Sequence, residues 1–177
     1  MRKLIVYLSL VFVAIGLAGI YGAVHNQLSY TVSPEYFTKF KFYQFGYLDG
    51  ELPERLRASL VGIRASWWMG FPIGLLVGIV GFIHRDYKRM LRVSFQAFLV
   101  VLVFTFLVGF CGLSYGFWRT TNVDISNFSD WYLPFDLESP RRFICAGYMH
   151  NSAYLGGILS IPVGWIYHIY ARLRMDI

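Results

Sequence analysis

Residues 4–23 run for 20 positions without an Asp, Glu, Lys or Arg. A helix of that length crosses a hydrocarbon core of about 30 Å. A helix also satisfies its own backbone hydrogen bonds, which lipid demands of any segment inside it. Comparable runs lie at about 60–83, 93–115 and 145–170. No charged residue lies deep in any of them, provided the lipid-crossing part of the second begins at Trp67. Composition agrees: 56% of the 177 residues are hydrophobic, 15% are charged, and mean hydropathy is +0.50. Soluble domains carry roughly 25% charge. The expected fold is an all-α membrane protein, with four transmembrane helices in one bundle over residues 1–177 and no second domain. The first run follows Met-Arg-Lys and could be mistaken for a signal peptide. It is longer than the usual apolar region of about 7–15 residues, and Tyr21 stands where a small residue would precede a cleavage site at Ala23. A retained helix is expected.

Charge orients the bundle. The three short segments 1–3, 84–92 and 171–177 hold eight of the 16 Lys and Arg but only two of the ten acids, Asp86 and Asp176. The longer segments, about 25–59 and 116–144, are charge-balanced, so the formal net charge of +6 lies wholly on the side of the short ones. By the positive-inside rule that side is cytoplasmic. Both termini are expected inside, with an extracytoplasmic cap built from the two longer segments. The basic balance therefore reports membrane orientation. No nucleic-acid-binding motif accompanies it.

The stretch from His25 to Phe45, HNQLSYTVSPEYFTKFKFYQF, is too polar for lipid and unusually aromatic for a loop. Ser33-Pro34-Glu35 reads as a helix start: a side-chain acceptor, a proline with no N–H to lose, then an acid in the first turn. Tyr36, Phe37, Phe40, Phe42, Tyr43 and Phe45 follow, with Lys39 and Lys41 among them. Rings interleaved with lysines suit a segment lying at the membrane–water boundary. The run H-N-Q-x-x-Y-T-x-S-P-E-Y-F resembles a segment of a family of uncharacterised bacterial polytopic membrane proteins, over about residues 16–46. The resemblance implies a bacterial inner-membrane origin and carries no activity.

Small residues mark close helix contacts. Ala14, Ala18 and Gly22 repeat at spacing four, and Gly70, Gly74 and Gly78 form an uninterrupted G-x-x-x-G-x-x-x-G. Such stripes let backbones approach in lipid, either within one chain or between copies.

Chemistry-bearing residues collect at the outer face. His25, Asn26, Gln27 and Tyr30 follow the first span. His150 and Asn151 open the last, and Glu35 and Arg64 add charge. These eight form the candidate binding cluster. Imidazole and thiolate suit zinc or copper, so His25, His150, Cys111 and Cys145 form a candidate metal set. The two cysteines could instead form a disulfide across the 116–144 segment or stay as buried thiols. His84 and His168 pair at the inner face, which invites a two-haem reading. However, His150 and His168 are 18 residues apart, about 27 Å along a helix, which puts both pairs at the membrane surfaces. Known hydrolase, metalloprotease, P-loop and dinucleotide fingerprints are missing, and no catalytic residue is assigned. Three functional classes remain: a scaffold or accessory subunit recognising a partner membrane protein through the outer cap, a small homo-oligomeric channel or transporter, and a metal- or haem-binding redox protein. The first is favoured, with the bilayer and another membrane protein or a second copy as partners, and no cofactor.

Overall fold

The computed structural model describes residues 1–48 and 50–174. Asp49 and the 175–177 end, with the Asp176 of the charge balance, lie outside the described residues. The described residues form an all-helical fold with no strand among them. It contains α1 (Arg2–Val32), α2 (Pro34–Tyr36), a π turn (Phe37–Lys41), α3 (Phe42–Phe45), α4 (Glu54–Gly78) with a 3-10 extension (Ile79–Ile83), α5 (Tyr87–Arg119), a 3-10 turn (Ile125–Phe128) and α6 (Pro140–Leu173). Three helical stretches are long and apolar enough to cross a membrane: Arg2–Val32, Glu54–Ile83 and Tyr87–Arg119. α6 has 34 residues and a more polar N-terminal half, which lies at the end of the bundle away from both termini, the outer end.

The helices outrun the apolar runs that announce them. α1 continues to Val32, where the sequence reading stops it near residue 24, and so takes in His25, Asn26, Gln27 and Tyr30. Its 31 residues make a rod of about 46 Å, longer than the hydrocarbon core. Apolarity reports the part in lipid, whereas the helix ends only where its caps are. At Ser33 the side chain accepts the Tyr36 N–H at 3.2 Å and Pro34 begins the next helix, as the motif predicts. Gly46 ends that segment at φ 73°, a left-handed conformation that glycine adopts without strain. α5 starts at Asp86, whose carboxylate accepts the N–H groups of Lys88 and Arg89 at 2.9 and 3.0 Å.

α1 lies along α4, α5 lies along α6, and the two pairs join mainly through α1 against α5. The first pair is antiparallel, as its contacts show. A Cβ placed on Gly22 would strike the Gly62 carbonyl, and one on Gly62 would strike Gly22 in return. Further along, Ser66 donates to the Ala18 carbonyl at 2.7 Å. Gly70 abuts Ala14, Gly74 abuts Val11, and Gly78 faces the Tyr7 ring. The stripe on α4 thus begins earlier than its glycine motif suggests, at Gly62 and Ser66. It meets the Ala14, Ala18 and Gly22 stripe within the same chain. On the other pair Gly112 faces Ser152 and Tyr148, Gly116 faces Cys145, and Gly156 faces Val108.

An apolar layer of Leu10, Ala14, Val77, Met90, Ala97, Phe98 and Val101 fills the middle of the bundle. A second cluster seals the outer end. Tyr36, Phe37 and Phe42 pack there on Ala58, Val61, Phe143 and Ala146. The aromatic segment therefore turns these three rings into protein, while Tyr43 stays exposed. The π turn widens the backbone there, a distortion common at functional sites.

Gly62→Leu is expected to force α1 and α4 apart and lower stability by about 3 kcal/mol or more. Gly16→Leu, at an exposed position where an added Cβ meets nothing within 4 Å, is expected to be silent. Thermal unfolding in mild detergent compares the two, and equal melting temperatures would refute this packing.

Candidate functional site

Two histidines meet beneath the outer aromatic seal. α1 carries Tyr21, His25 and Ser29 at spacing four, and so on one face. α6 brings His150 and Tyr154 to the same place. The His150 ring stands edge-on to His25, with centroids 4.8 Å apart, and stacks on Tyr36 at 4.9 Å. His150 Nε2 shares a hydrogen bond of 3.0 Å with the Ser29 hydroxyl. His25 is 3% exposed and stacks on Tyr21 at 5.6 Å.

Below this pair lies a cavity of about 80 Å³ between the four long helices. Its walls are largely apolar and small, including Ala18, Gly22, Gly62, Ala65 and Ile73. Its outer end carries Tyr21, His25, Asn26 and His150. Asn26 is committed elsewhere, because its amide donates to the Ala58 carbonyl at 2.9 Å. The Tyr21 hydroxyl is buried with no hydrogen-bond partner among the described residues, whereas His25 Nε2 lies toward Gly109 and the Met149 carbonyl. Buried polar atoms almost always have partners, so the Tyr21 hydroxyl, on a residue that lines the cavity, marks the place where a ligand's polar group would sit.

The remaining members of the sequence cluster divide among other tasks. Gln27 donates to the Ser59 hydroxyl at 2.7 Å and to the Arg55 carbonyl at 2.6 Å. Tyr30 hydrogen-bonds Glu54. These contacts lace the end of α1 to the start of α4. Arg64 donates to the Phe45 carbonyl at 2.9 Å, closing the end of α3. Asn151, next to His150, points outward and is exposed, which separates it from the cluster. Lys41 donates to Gln44 at 2.8 Å and sits over the Phe40 ring at 4.4 Å, and burial pushes its ammonium down to about 8.

The metal set does not converge. Cys111 and Cys145 are both free thiols, so the disulfide alternative is not formed. Cys111 is exposed, and Cys145 lies 3.7 Å from Thr120 Oγ1. Among the described residues no group of three or more His, Cys, Asp or Glu side chains is placed to hold an ion. The haem reading fails on geometry. His84 Nε2 and His168 Nδ1 are 3.0 Å apart in a direct hydrogen bond, and the outer rings touch edge to face. Neither pair leaves room for a macrocycle between its members.

Glu35 is the keystone of the outer cap. Its carboxylate accepts the N–H groups of Glu138 and Ser139, each at 2.9 Å, and pairs with Lys39 at 3.1 Å. It thus anchors α2 to the first turn of α6, where the helix dipole favours a negative charge. Burial alone would raise its pKa, but the two backbone bonds and the Lys39 ammonium outweigh this and hold the carboxyl below its usual range. A depressed carboxyl pKa stabilises the fold above the unfolded value of about 4.3, and this contribution is lost as pH falls through the folded one. Glu35→Gln is therefore expected to cost on the order of 1 kcal/mol at neutral pH. The gap should close only as pH falls through the lowered folded-state pKa, below which both side chains are neutral. Melting curves of the two proteins across pH check this, and a gap unchanged in acid would show that charge is not what caps α6.

Ser29, Tyr21, Tyr36, Tyr154 and Ser66 belong to the site or its frame, although the sequence reading did not single them out for it. The spacing of Tyr21, His25 and Ser29 would have revealed them, had the first helix been continued past residue 24. Comparison with protein-family models, with curated proteins and with solved structures gives no match, so the site is read from its own geometry.

Proposed function

We propose that this protein is a non-enzymatic binding protein of the bacterial inner membrane. It crosses the bilayer four times with both termini cytoplasmic, and it holds a membrane-soluble molecule in the cavity beneath its outer cap. The ligand is smaller than benzene, which occupies a cavity of about 150 Å³, and carries one oxygen, a carbonyl or hydroxyl. That oxygen lies against the Tyr21 hydroxyl beside the His25 ring, and the apolar part lies against the alanine and glycine walls. The observation that carries this reading is the buried, unpartnered Tyr21 hydroxyl at one end of an otherwise apolar cavity of about 80 Å³.

The four-span topology rests on the eight cations gathered on the side of the short segments and on the antiparallel packing of α6 along α5. The apolar layer around Phe98 and Val101 speaks against a pore through one chain. Gly70 and Gly74 pack on α1, so they do not serve a subunit contact. A second reading, recognition of another membrane protein, is favoured by the cap's outer rim. There Trp118, Tyr132 and Phe135 present large exposed aromatic faces, the residue class enriched at protein interfaces.

In mild detergent, 2-butanone is expected to raise the melting temperature more than 2-methylbutane does. A ligand at about 100 times its dissociation constant stabilises by about 2.7 kcal/mol. Tyr21→Phe should abolish the preference for the ketone, and Ala65→Phe, which fills the cavity, should abolish both shifts. Equal responses to ketone and alkane in the unaltered protein would refute a polar site at Tyr21.

A further inference from the structure

At the opposite, basic end of the bundle the first turns of α5 and the last turns of α6 enclose a cleft of about 590 Å³. Lys88, Arg89 and Arg92 enter it from α5, and Arg174 enters from α6. None of the four forms an ion pair with an acid among the described residues. The one acid on the cleft, Asp86, is engaged as the cap of α5, accepting the N–H groups of Lys88 and Arg89. Gln96 closes the floor. Its carbonyl oxygen accepts the Tyr167 hydroxyl at 3.2 Å, which leaves the amide's N–H groups as its donors. Four cations converging with an amide donor make a site for a phosphate ester, since phosphate offers several acceptor oxygens and at least one negative charge.

The position of the cleft decides the source of that phosphate. Gln96 lies nine residues into α5, about 13 Å from its start, so the cleft spans the head-group level of a membrane. Arg92 and Gln96 continue along α5 at helical spacing into Leu99 and Val103, both exposed and apolar. A lipid whose phosphate sits among the arginines would lay an acyl chain along that stripe. Basic pockets between membrane helices on the cytoplasmic side take anionic head groups in this way.

We propose that this cleft is a binding site for the head group of an anionic phospholipid, with Lys88, Arg89, Arg92 and Arg174 as the phosphate-binding cations and Gln96 as a neutral donor. The site is separate from the cavity near His25 and does not depend on what that cavity holds.

Native mass spectrometry of the intact protein in neutral detergent tests it, with added dioleoyl phosphatidylglycerol, dioleoyl phosphatidylcholine or glycerol 3-phosphate. Phosphatidylglycerol is expected to bind about tenfold tighter than phosphatidylcholine or more. Arg92→Gln and Arg174→Gln should each weaken it about fivefold, and the double variant about 30-fold. Arg142→Gln removes the same charge from the other end of the bundle and should change nothing. The single variants keep the test open if the double variant does not fold. Equal affinity for the two lipids, or unchanged affinity in the arginine variants, would overturn the site. Displacement of phosphatidylglycerol by glycerol 3-phosphate at comparable concentration would overturn its assignment to lipid and give it to a soluble phosphate.

Discussion

The close approach of α1 and α4 is the contact on which the rest of the molecule depends. In lipid, helices gain nothing by hiding apolar side chains from their surroundings, so association rests on packing and on the few polar bonds that reach across. Gly22 and Gly62 bring the two backbones together. Ser66 and Asn26 then bond across the seam, to the Ala18 and Ala58 carbonyls. That register places His25 one turn above the tightest contact. It also explains the space below: the glycines that let the backbones meet have no side chain, and the alanines only a methyl, to fill the volume on their inward side. Packing and cavity are two consequences of one stripe.

The two histidine pairs use the same residue type in different ways. The inner pair closes on itself. His84 and His168 are 1% and 0% exposed and share one hydrogen bond, while Lys3 ties the His84 carbonyl to the start of α1 at 2.5 Å. The outer pair meets edge to face, which leaves each ring free to serve something else. His150 is held by Ser29 and Tyr36, and His25 lines the cavity while its Nε2 lies toward Gly109 and the Met149 carbonyl. Between the pairs stands the apolar layer. The bundle therefore has two chemically distinct ends with an apolar layer between them.

Much of this was legible in the sequence, and the failures share a cause. The apolar runs locate the helices. Ser33-Pro34 marks the break after α1, the small-residue stripes mark the seam, and His25 and His150 emerge as neighbours. What the runs could not show is where each helix ends. Hydropathy measures the portion in lipid, whereas α1, α5 and α6 extend well beyond it. Ending the first helix near residue 24 hid the alignment of Tyr21, His25 and Ser29. It also grouped Gln27 and Tyr30 with the site, although they lace α1 to α4. The metal set failed for a related reason. Cys111 and His150 share a level along the bundle axis, but level does not determine the direction around a helix, and Cys111 points outward. Glu35 reads from the sequence as the first-turn acid of its own helix and as a charge in the outer cluster. Its partners, Glu138 and Ser139, lie about a hundred positions away in the chain and could not be inferred from local spacing.

The most direct measurement is the identity of what the cavity carries out of the membrane. The protein would be purified in mild detergent, washed, and extracted with organic solvent, and the extract compared by mass spectrometry with that of Ala65→Phe. The expected result is one near-stoichiometric small lipophilic molecule with one oxygen, present with the unaltered protein and lost from the filled variant. The same extract from both proteins, with no species depending on the cavity, would contradict a ligand at His25 and Tyr21.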